Sequence, residues 1–172
     1  NYKRLKKFDR EYSKEKGVRR SIKLTVVKPS GTVSLLPGVT PGVHPAFSKY
    51  YIRRVRMASN DPIVELCRKA GINIEFVKNF DGSLNHETVV IEFPCKSAEG
   101  AILAKEMNAI EQLELASKMN RIWVDQNTSV TIYYKKEELP EIQEWLKKNL
   151  NKRVKGVSFL LHTEHGLSLI HI

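Results

Sequence analysis

The chain has 172 residues, of which 41% are hydrophobic and 28% charged, with nine Gly and seven Pro. These proportions exclude a disordered tail or a fibrous repeat, and they suit about one domain with a real core. The formal charge of +10 raises polyanions as partners, yet nine of the basic residues and three acidic ones crowd into residues 1–20, so a solvated helix face competes with a polyanion-binding surface.

Taken in order, Tyr2, Leu5, Phe8 and Tyr12 recur at helical spacing among charges, predicting a helix over 2–16 that Gly17 ends. SIKLTVVK, residues 21–28, alternates Ile22, Leu24 and Val26 with polar residues and reads as a strand closed by Pro29. The Gly- and Pro-rich run that follows denies any long element up to about Val43. Phe47, Tyr50 and Tyr51 then lie beside Arg53, Arg54 and Arg56 in a basic and aromatic segment with strand character. Asp61 is a good N-cap ahead of Pro62, and Ile63, Leu66, Cys67 and Ala70 mark a short amphipathic helix ending at Gly71.

Thr88–Phe93 (TVVIEF) reads as a strand buried on both faces. Leu103, Met107, Ile110 and Leu113 line a long helix that reaches about Met119. A strand over Ser129–Tyr134, a helix over Glu137–Leu150 and a strand over Val157–Leu161 complete the pattern. Strands alternating with helices of this length predict an α/β chain of βαβ units with a mainly parallel sheet or a barrel portion.

No apolar stretch approaches the roughly 20 residues needed to span a bilayer, and the basic start lacks the apolar core of a signal peptide; a cytoplasmic location is expected. Cys67 and Cys95 are too few for a disulfide framework and have no metal or redox spacing. Cys67 falls on the apolar stripe of its helix and reads as a packed thiol, and Cys95 as structural. His44 reads as a loop residue rather than a metal ligand. His162, Glu164 and His165 read as a strand end rather than a metal cluster.

The most specific feature is the junction Lys28-Pro29-Ser30-Gly31-Thr32-Val33. Gly31 allows close approach to the backbone, Ser30 and Thr32 supply hydroxyls, and a helical turn starting at Thr32 would aim N–H groups at the same spot, as a phosphate site requires. On spacing alone the same four residues also make an ordinary turn.

The run KLTVVKPSGTVSLLPGVTPGVHPAFSKYYIRRVR resembles the late catalytic-barrel segment of the adenosylcobalamin-dependent ribonucleoside-triphosphate reductases, the monomeric class II ribonucleotide reductases. FDREYSKEKGVRRSIKLT, VVIEFPCK, WVDQNTSVTIYY and KGVSFLLHTEHG fit in the same order, so the resemblance covers about Tyr2 to Gly166. It implies part of a ten-stranded α/β barrel over residues 1–166, with the final LSLIHI a foreign tail. It also implies that Ser30, Gly31, Thr32 and Val33 hold the phosphates of a ribonucleoside triphosphate, and that Phe47–Arg56 or the strand around Ser129 borders adenosylcobalamin. The family's reaction converts ribonucleoside triphosphates to deoxy forms through a cobalamin-initiated thiyl radical, with a thioredoxin-like reductant for the whole protein. The family's thiyl-forming Asn-Pro-Cys-like motif and its C-terminal cysteine pair do not occur in this sequence. No catalytic residue is therefore assigned, and the chain alone is expected to be inactive. Two other readings stand beside this one: the large subunit of a metal-radical ribonucleotide reductase, and a non-catalytic basic domain binding nucleic acid, the latter not expected as a partner under the main reading.

Overall fold

A computed structural model describes residues 1–30, 33–35 and 37–162. Gly31, Thr32 and the proposed tail 167–172 lie outside the described residues, as do Glu164 and His165. In chain order the elements are helix α1 (Tyr2–Glu15), strand β1 (Tyr50–Ala58), helix α2 (Pro62–Lys69), strands β2 (Asn73–Lys78) and β3 (Leu84–Lys96), helix α3 (Ala109–Ile122), strand β4 (Thr131–Tyr134), helix α4 (Leu139–Asn149) and strand β5 (Ser158–Leu161). Among the described residues no helix is long and apolar enough to cross a membrane.

The expected βαβ order is present twice, in different forms. β4 and β5 pair in parallel across α4, Thr131 opposite Ser158 and Tyr134 opposite Leu161. β1, α2 and β2 form a split unit: β1 and β2 each pair antiparallel with β3, which lies between them, so the sheet order is β1-β3-β2. The three-stranded sheet is therefore antiparallel, against the expectation of a mainly parallel one. Its cause is local. Asn79–Ser83 is a tight turn with Gly82 at φ 85°, and Asp81 accepts from the Ser83 N–H, so β3 must fold straight back along β2.

As the central strand, β3 buries Val89 and Ile91 on one face and Val90 on the other, in line with the two-faced burial read from its sequence. Val64 and Cys67 of α2 pack on Val89 and Ile91, with Met57, Ile74 and Phe93 around them. Asp61 caps α2 by accepting from Ile63 N–H at 2.9 Å. Cys67 is a packed core thiol, as expected.

The second core is built from Ala109, Leu113 and Ala116 of α3, Val130 and Ile132 at β4, Ile142 and Trp145 of α4, and Val154. α3 begins later than its apolar period predicts. Asn108 accepts from Glu111 N–H and Glu111 reaches back to Asn108 N–H, both at 2.8 Å, a reciprocal cap that fixes the start at Ala109. Leu103 consequently lies before the helix, where it forms an isolated bridge with Ala46.

The predicted strand over 21–28 is an extended segment that makes one isolated parallel bridge, Val27 to Thr128, in place of a ladder. Its expected inward residues are also displaced: Ile22 is 94% exposed, whereas Thr25 is buried. Hydrogen bonding overrides the alternation, because the Thr25 hydroxyl donates to the Trp123 carbonyl and its main-chain carbonyl accepts from Asp125 and Gln126. α1 is held at its start, where the Tyr2 hydroxyl donates to Asp125 and the Tyr2 ring meets Trp123 edge-on with centroids 6.5 Å apart. The Asp125 carboxyl lies below its ordinary range, chiefly through the Tyr2 hydroxyl and then the Leu24 N–H.

One edge of β4 pairs with β5; along the other edge, three alternate N–H groups find three different acceptors. Ser129 donates to the Val27 carbonyl at 2.9 Å, Thr131 to His44 Nε2 at 3.1 Å, and Tyr133 to Gln112 Oε1 at 3.0 Å. The buried Gln112 completes the mimicry of a strand by donating from Nε2 to the Tyr133 carbonyl at 3.0 Å. Gln112→Leu would remove that acceptor and donor together inside the core. The expected result is a loss of about 1–3 kcal/mol, the cost of a buried polar group left unmatched, read as a lowered urea midpoint at unchanged slope.

Candidate phosphate-binding site

The site is a loop that leaves the edge of β4 and returns to it. It departs at Val27, whose carbonyl receives Ser129 N–H, and Pro29 ends the pairing because it has no N–H to give. It returns at His44, buried to 4% of its free exposure, whose ring reaches Thr131 two residues further along the same edge. Both feet of the loop thus stand on residues 129–131.

Between the feet, Ser30 and Ser34 lock together. The Ser34 hydroxyl donates to the Ser30 carbonyl at 2.6 Å, and the Ser34 N–H donates to the Ser30 hydroxyl oxygen at 3.2 Å. A short 3-10 turn spans Val33–Leu35, while Thr32, where a helical turn was expected to start, lies outside the described residues. With its oxygen accepting from Ser34, the Ser30 hydroxyl still carries a proton, the donor a phosphate oxygen needs. Lys28 is exposed at the base of the loop and Val33 at its crest. Of the four residues expected to hold phosphate, Ser30 and Val33 are described, and Gly31 and Thr32 lie outside the described residues.

The return arm packs on the outgoing arm. Gly42 has φ 60°, and a Cβ there would stand 3.3 Å from the Lys28 carbonyl oxygen and from the Pro29 nitrogen and Cα. The His44 N–H donates to the Pro41 carbonyl at 3.1 Å, and Nδ1 meets the same carbonyl at 3.0 Å. Burial holds the imidazole below its ordinary value of 6.5, with the Pro41 carbonyl acting in the opposite direction. Sequence reasoning treated His44 only as a loop residue or a metal ligand and passed over Gly42. Thr-Pro-Gly-Val-His does carry a local signal, a glycine followed by a histidine in a tight turn, but its meaning depends on the distant Thr131.

The other candidates are kept apart. Cys95 is half-buried opposite Tyr51 at the end of the β1–β3 pair. It borders an open groove of about 440 Å³ formed by Tyr50–Ile52 and Pro94–Lys96. The arginines of β1 divide between the sheet's two faces. Arg53 donates to the Tyr51 hydroxyl at 2.9 Å, whereas Arg54 pairs with Glu75 at 3.2 Å and Glu92 at 3.0 Å, so they do not make one basic patch. His162 is exposed, and among the described residues no three His, Cys, Asp or Glu side chains gather as a metal site.

The chain as a whole has known relatives. Residues 4–160 match the family model for the ribonucleotide reductase barrel domain. The chain belongs to the ribonucleotide reductase barrel family. Within that family it is 39% identical over 160 residues to a probable adenosylcobalamin-dependent ribonucleoside-triphosphate reductase of Dictyostelium discoideum, covering 92% of this chain and 20% of the relative. It is 38% identical to the adenosylcobalamin-dependent ribonucleoside-triphosphate reductase of Euglena gracilis, covering 91% of this chain and 21% of that one. Among solved structures it is similar to a B12-dependent (class II) ribonucleotide reductase, with a TM-score of 0.77 at 29% identity over 97% of this chain and 23% of the other. The α/β barrel portion and the family read from the sequence are both borne out. This reductase barrel segment spans about a fifth of the length of the curated relatives it matches.

The packing of Gly42 on Pro29 gives a direct test of the loop. Gly42→Ala and Gly38→Ala both place a Cβ on a left-handed backbone, at φ 60° and 72°, but only the first meets atoms within 4 Å. Each is expected to lose about 1–2 kcal/mol from the backbone, with Gly42→Ala the more destabilised of the two because the Lys28–Pro29 backbone must shift. Paired thermal or urea unfolding curves read the difference.

Proposed function

We propose that this chain is part of the catalytic barrel of an adenosylcobalamin-dependent ribonucleoside-triphosphate reductase, and that Ser30, Gly31, Thr32 and Val33 hold the phosphates of the substrate. The observation that carries the reading is the two-footed loop. Its Ser30 hydroxyl accepts from Ser34 N–H and so keeps a proton to donate to a phosphate oxygen. Exposed Lys28, two residues before it, adds a positive charge to the same turn. A ligand held by a loop anchored at both ends costs little ordering on binding, which favours a fixed orientation of the sugar beyond the phosphates.

The residues that would border adenosylcobalamin suit an apolar macrocycle in part. Phe47, Tyr50 and Ile52 are exposed ahead of and along β1, and the groove beside Tyr50 and Ile52 is walled by Pro94 and Cys95. Such a surface can cover one side of a flat ring, as a contribution to a larger site. The cofactor, when bound, supplies the radical that begins the reaction. Within this chain the loop's part is to bind and orient the substrate, and Cys67 is packed in the core, where it has no redox part. For the whole protein we propose ribonucleoside triphosphates as substrates, a thioredoxin-like dithiol as reductant and a cytoplasmic location. The free thiols Cys67 and Cys95 suit a reducing compartment.

The test uses the intact enzyme that carries this segment. Deoxynucleotide formation should require adenosylcobalamin. Gly31→Val should raise the nucleotide KM by about tenfold or more, the equivalent of about 1.4 kcal/mol of lost binding, because glycine admits a ligand to the backbone and valine does not. Cys67→Ala, which only opens a small cavity, should leave that KM within about twofold. A KM unmoved by Gly31→Val in a folded enzyme would make the turn a connector.

A further inference from the structure

We propose that His44 is a positioning residue of the phosphate loop, a neutral imidazole that clamps the loop's return arm to β4 and releases it when protonated. The assignment rests on the reading of Pro29–Val33 as the phosphate turn and goes beyond it, since His44 lies outside that turn and touches no substrate.

The ring's protonation state follows from its partners. Thr131 N–H can only donate, so Nε2 must present its lone pair, and the Pro41 carbonyl can only accept, so Nδ1 must carry the hydrogen. Only the neutral tautomer protonated at Nδ1 makes both bonds. Adding a proton to Nε2 sets two donors face to face at a place where the ring is 4% exposed and water has little access. The mechanical consequence passes through Gly42, two residues back, where the backbones run so close that a Cβ would stand 3.3 Å from the Lys28 carbonyl oxygen and from Pro29. Pro29 directly precedes Ser30. Freeing the His44 foot therefore loosens the support of the arm that carries Ser30.

The ring bonds to two elements, the loop itself and the start of β4. Their titratable side chains are Lys28, exposed in the loop, and Tyr133 and Tyr134 on β4. Burial is the larger influence on His44 and moves its titration below 6.5, so the clamp is closed at neutral pH and opens as the pH falls beneath that value. Phosphate binding should follow the same course, tight above the titration and weaker below it.

The experiment measures KM and kcat for the nucleotide between about pH 5 and 8 in the intact enzyme, for wild type, His44→Phe, His44→Gln and Gly31→Val. Phe keeps the ring's volume and loses both hydrogen bonds. Gln keeps an acceptor and a donor and does not titrate. At about pH 7.5, His44→Phe should raise KM about tenfold with kcat within about twofold, the signature of lost binding, and His44→Gln should restore KM to within about threefold of wild type. Below about pH 6 the wild-type KM should climb more steeply than that of His44→Gln, which shares any titration of the substrate itself.

If Gly31→Val raises KM while His44→Phe does not, the clamp is merely structural and this inference fails alone. If Gly31→Val leaves KM unmoved, the phosphate turn fails and takes the inference with it. Should His44→Phe not fold, the glutamine variant decides: a near-wild-type KM at neutral pH with a shallower acid rise supports the clamp, and a profile parallel to wild type overturns it.

Discussion

Hydrogen bonding along the unpaired edge of β4 is the constraint on which the rest of the molecule turns. A strand that ends a small parallel pair must still match the N–H groups facing away from its partner, since a buried donor without an acceptor costs about 1–3 kcal/mol. Here, among the described residues, no third strand supplies the acceptors. A main-chain carbonyl at Val27, an imidazole at His44 and a side-chain amide at Gln112 take them in turn at Ser129, Thr131 and Tyr133. Three segments far apart in sequence are thereby placed in order along one line, and the loop between the first two is held at both ends.

That arrangement separates what must be rigid from what must be open. Packing supplies the rigid part: α3 and α4 close over β4 through Leu113, Ile142 and Trp145, and Gln112 ties α3 to the strand. Glu114 strengthens the α3–α4 contact by accepting from Trp145 Nε1 at 2.7 Å, which together with Arg153 keeps its carboxyl below the ordinary range. The loop itself has little core of its own. It is shaped by the Ser30–Ser34 pair and by the close approach of Gly42 to Pro29, interactions of short reach that leave its crest in solvent. A surface loop on a packed scaffold is where a ligand can be admitted without unfolding anything else.

How far the sequence discloses this can be judged residue by residue. α2 is legible because Asp61 and Pro62 are local signals whose geometry needs no distant partner. β2 is absent from the sequence reading although Ile72, Ile74 and Phe76 alternate with Asn73 and Glu75; the alternation is short and ends where the pairing slips between Phe76 and Val77. The start of α3 was placed at Leu103 on apolar period alone, although Asn108 and Glu111 already spell the cap. Ile22 misleads for a different reason. Its segment obeys strand alternation, but the Thr25 hydroxyl meets the Trp123 carbonyl, and tertiary hydrogen bonding chooses the opposite face. The candidate turn stands out in the sequence at Pro29-Ser30-Gly31-Thr32, whereas the contacts of Gly42 and His44 depend on Pro29 and Thr131, partners that no local pattern reveals.

The large positive charge belongs to a different part of the physics from the loop. Under the proposed reading, Lys and Arg side chains on α1 would act on an anionic nucleotide only at a distance: at physiological salt such attraction fades within about 8 Å, so it raises local concentration without fixing a pose. Several cations elsewhere are already committed, Arg54 to Glu75 and Glu92 and Arg153 to Glu114, so little of the excess is aimed at one point. Under the same reading, orientation at the proposed phosphate turn has to come from short-range donors whose positions are set by the backbone. A hydroxyl whose own oxygen is occupied, as at Ser30, offers its proton in a limited range of directions, and the anchored backbone determines where that range points. Steering by charge and positioning by neutral donors are thus separable, and substitutions on α1 and on the loop should affect different constants.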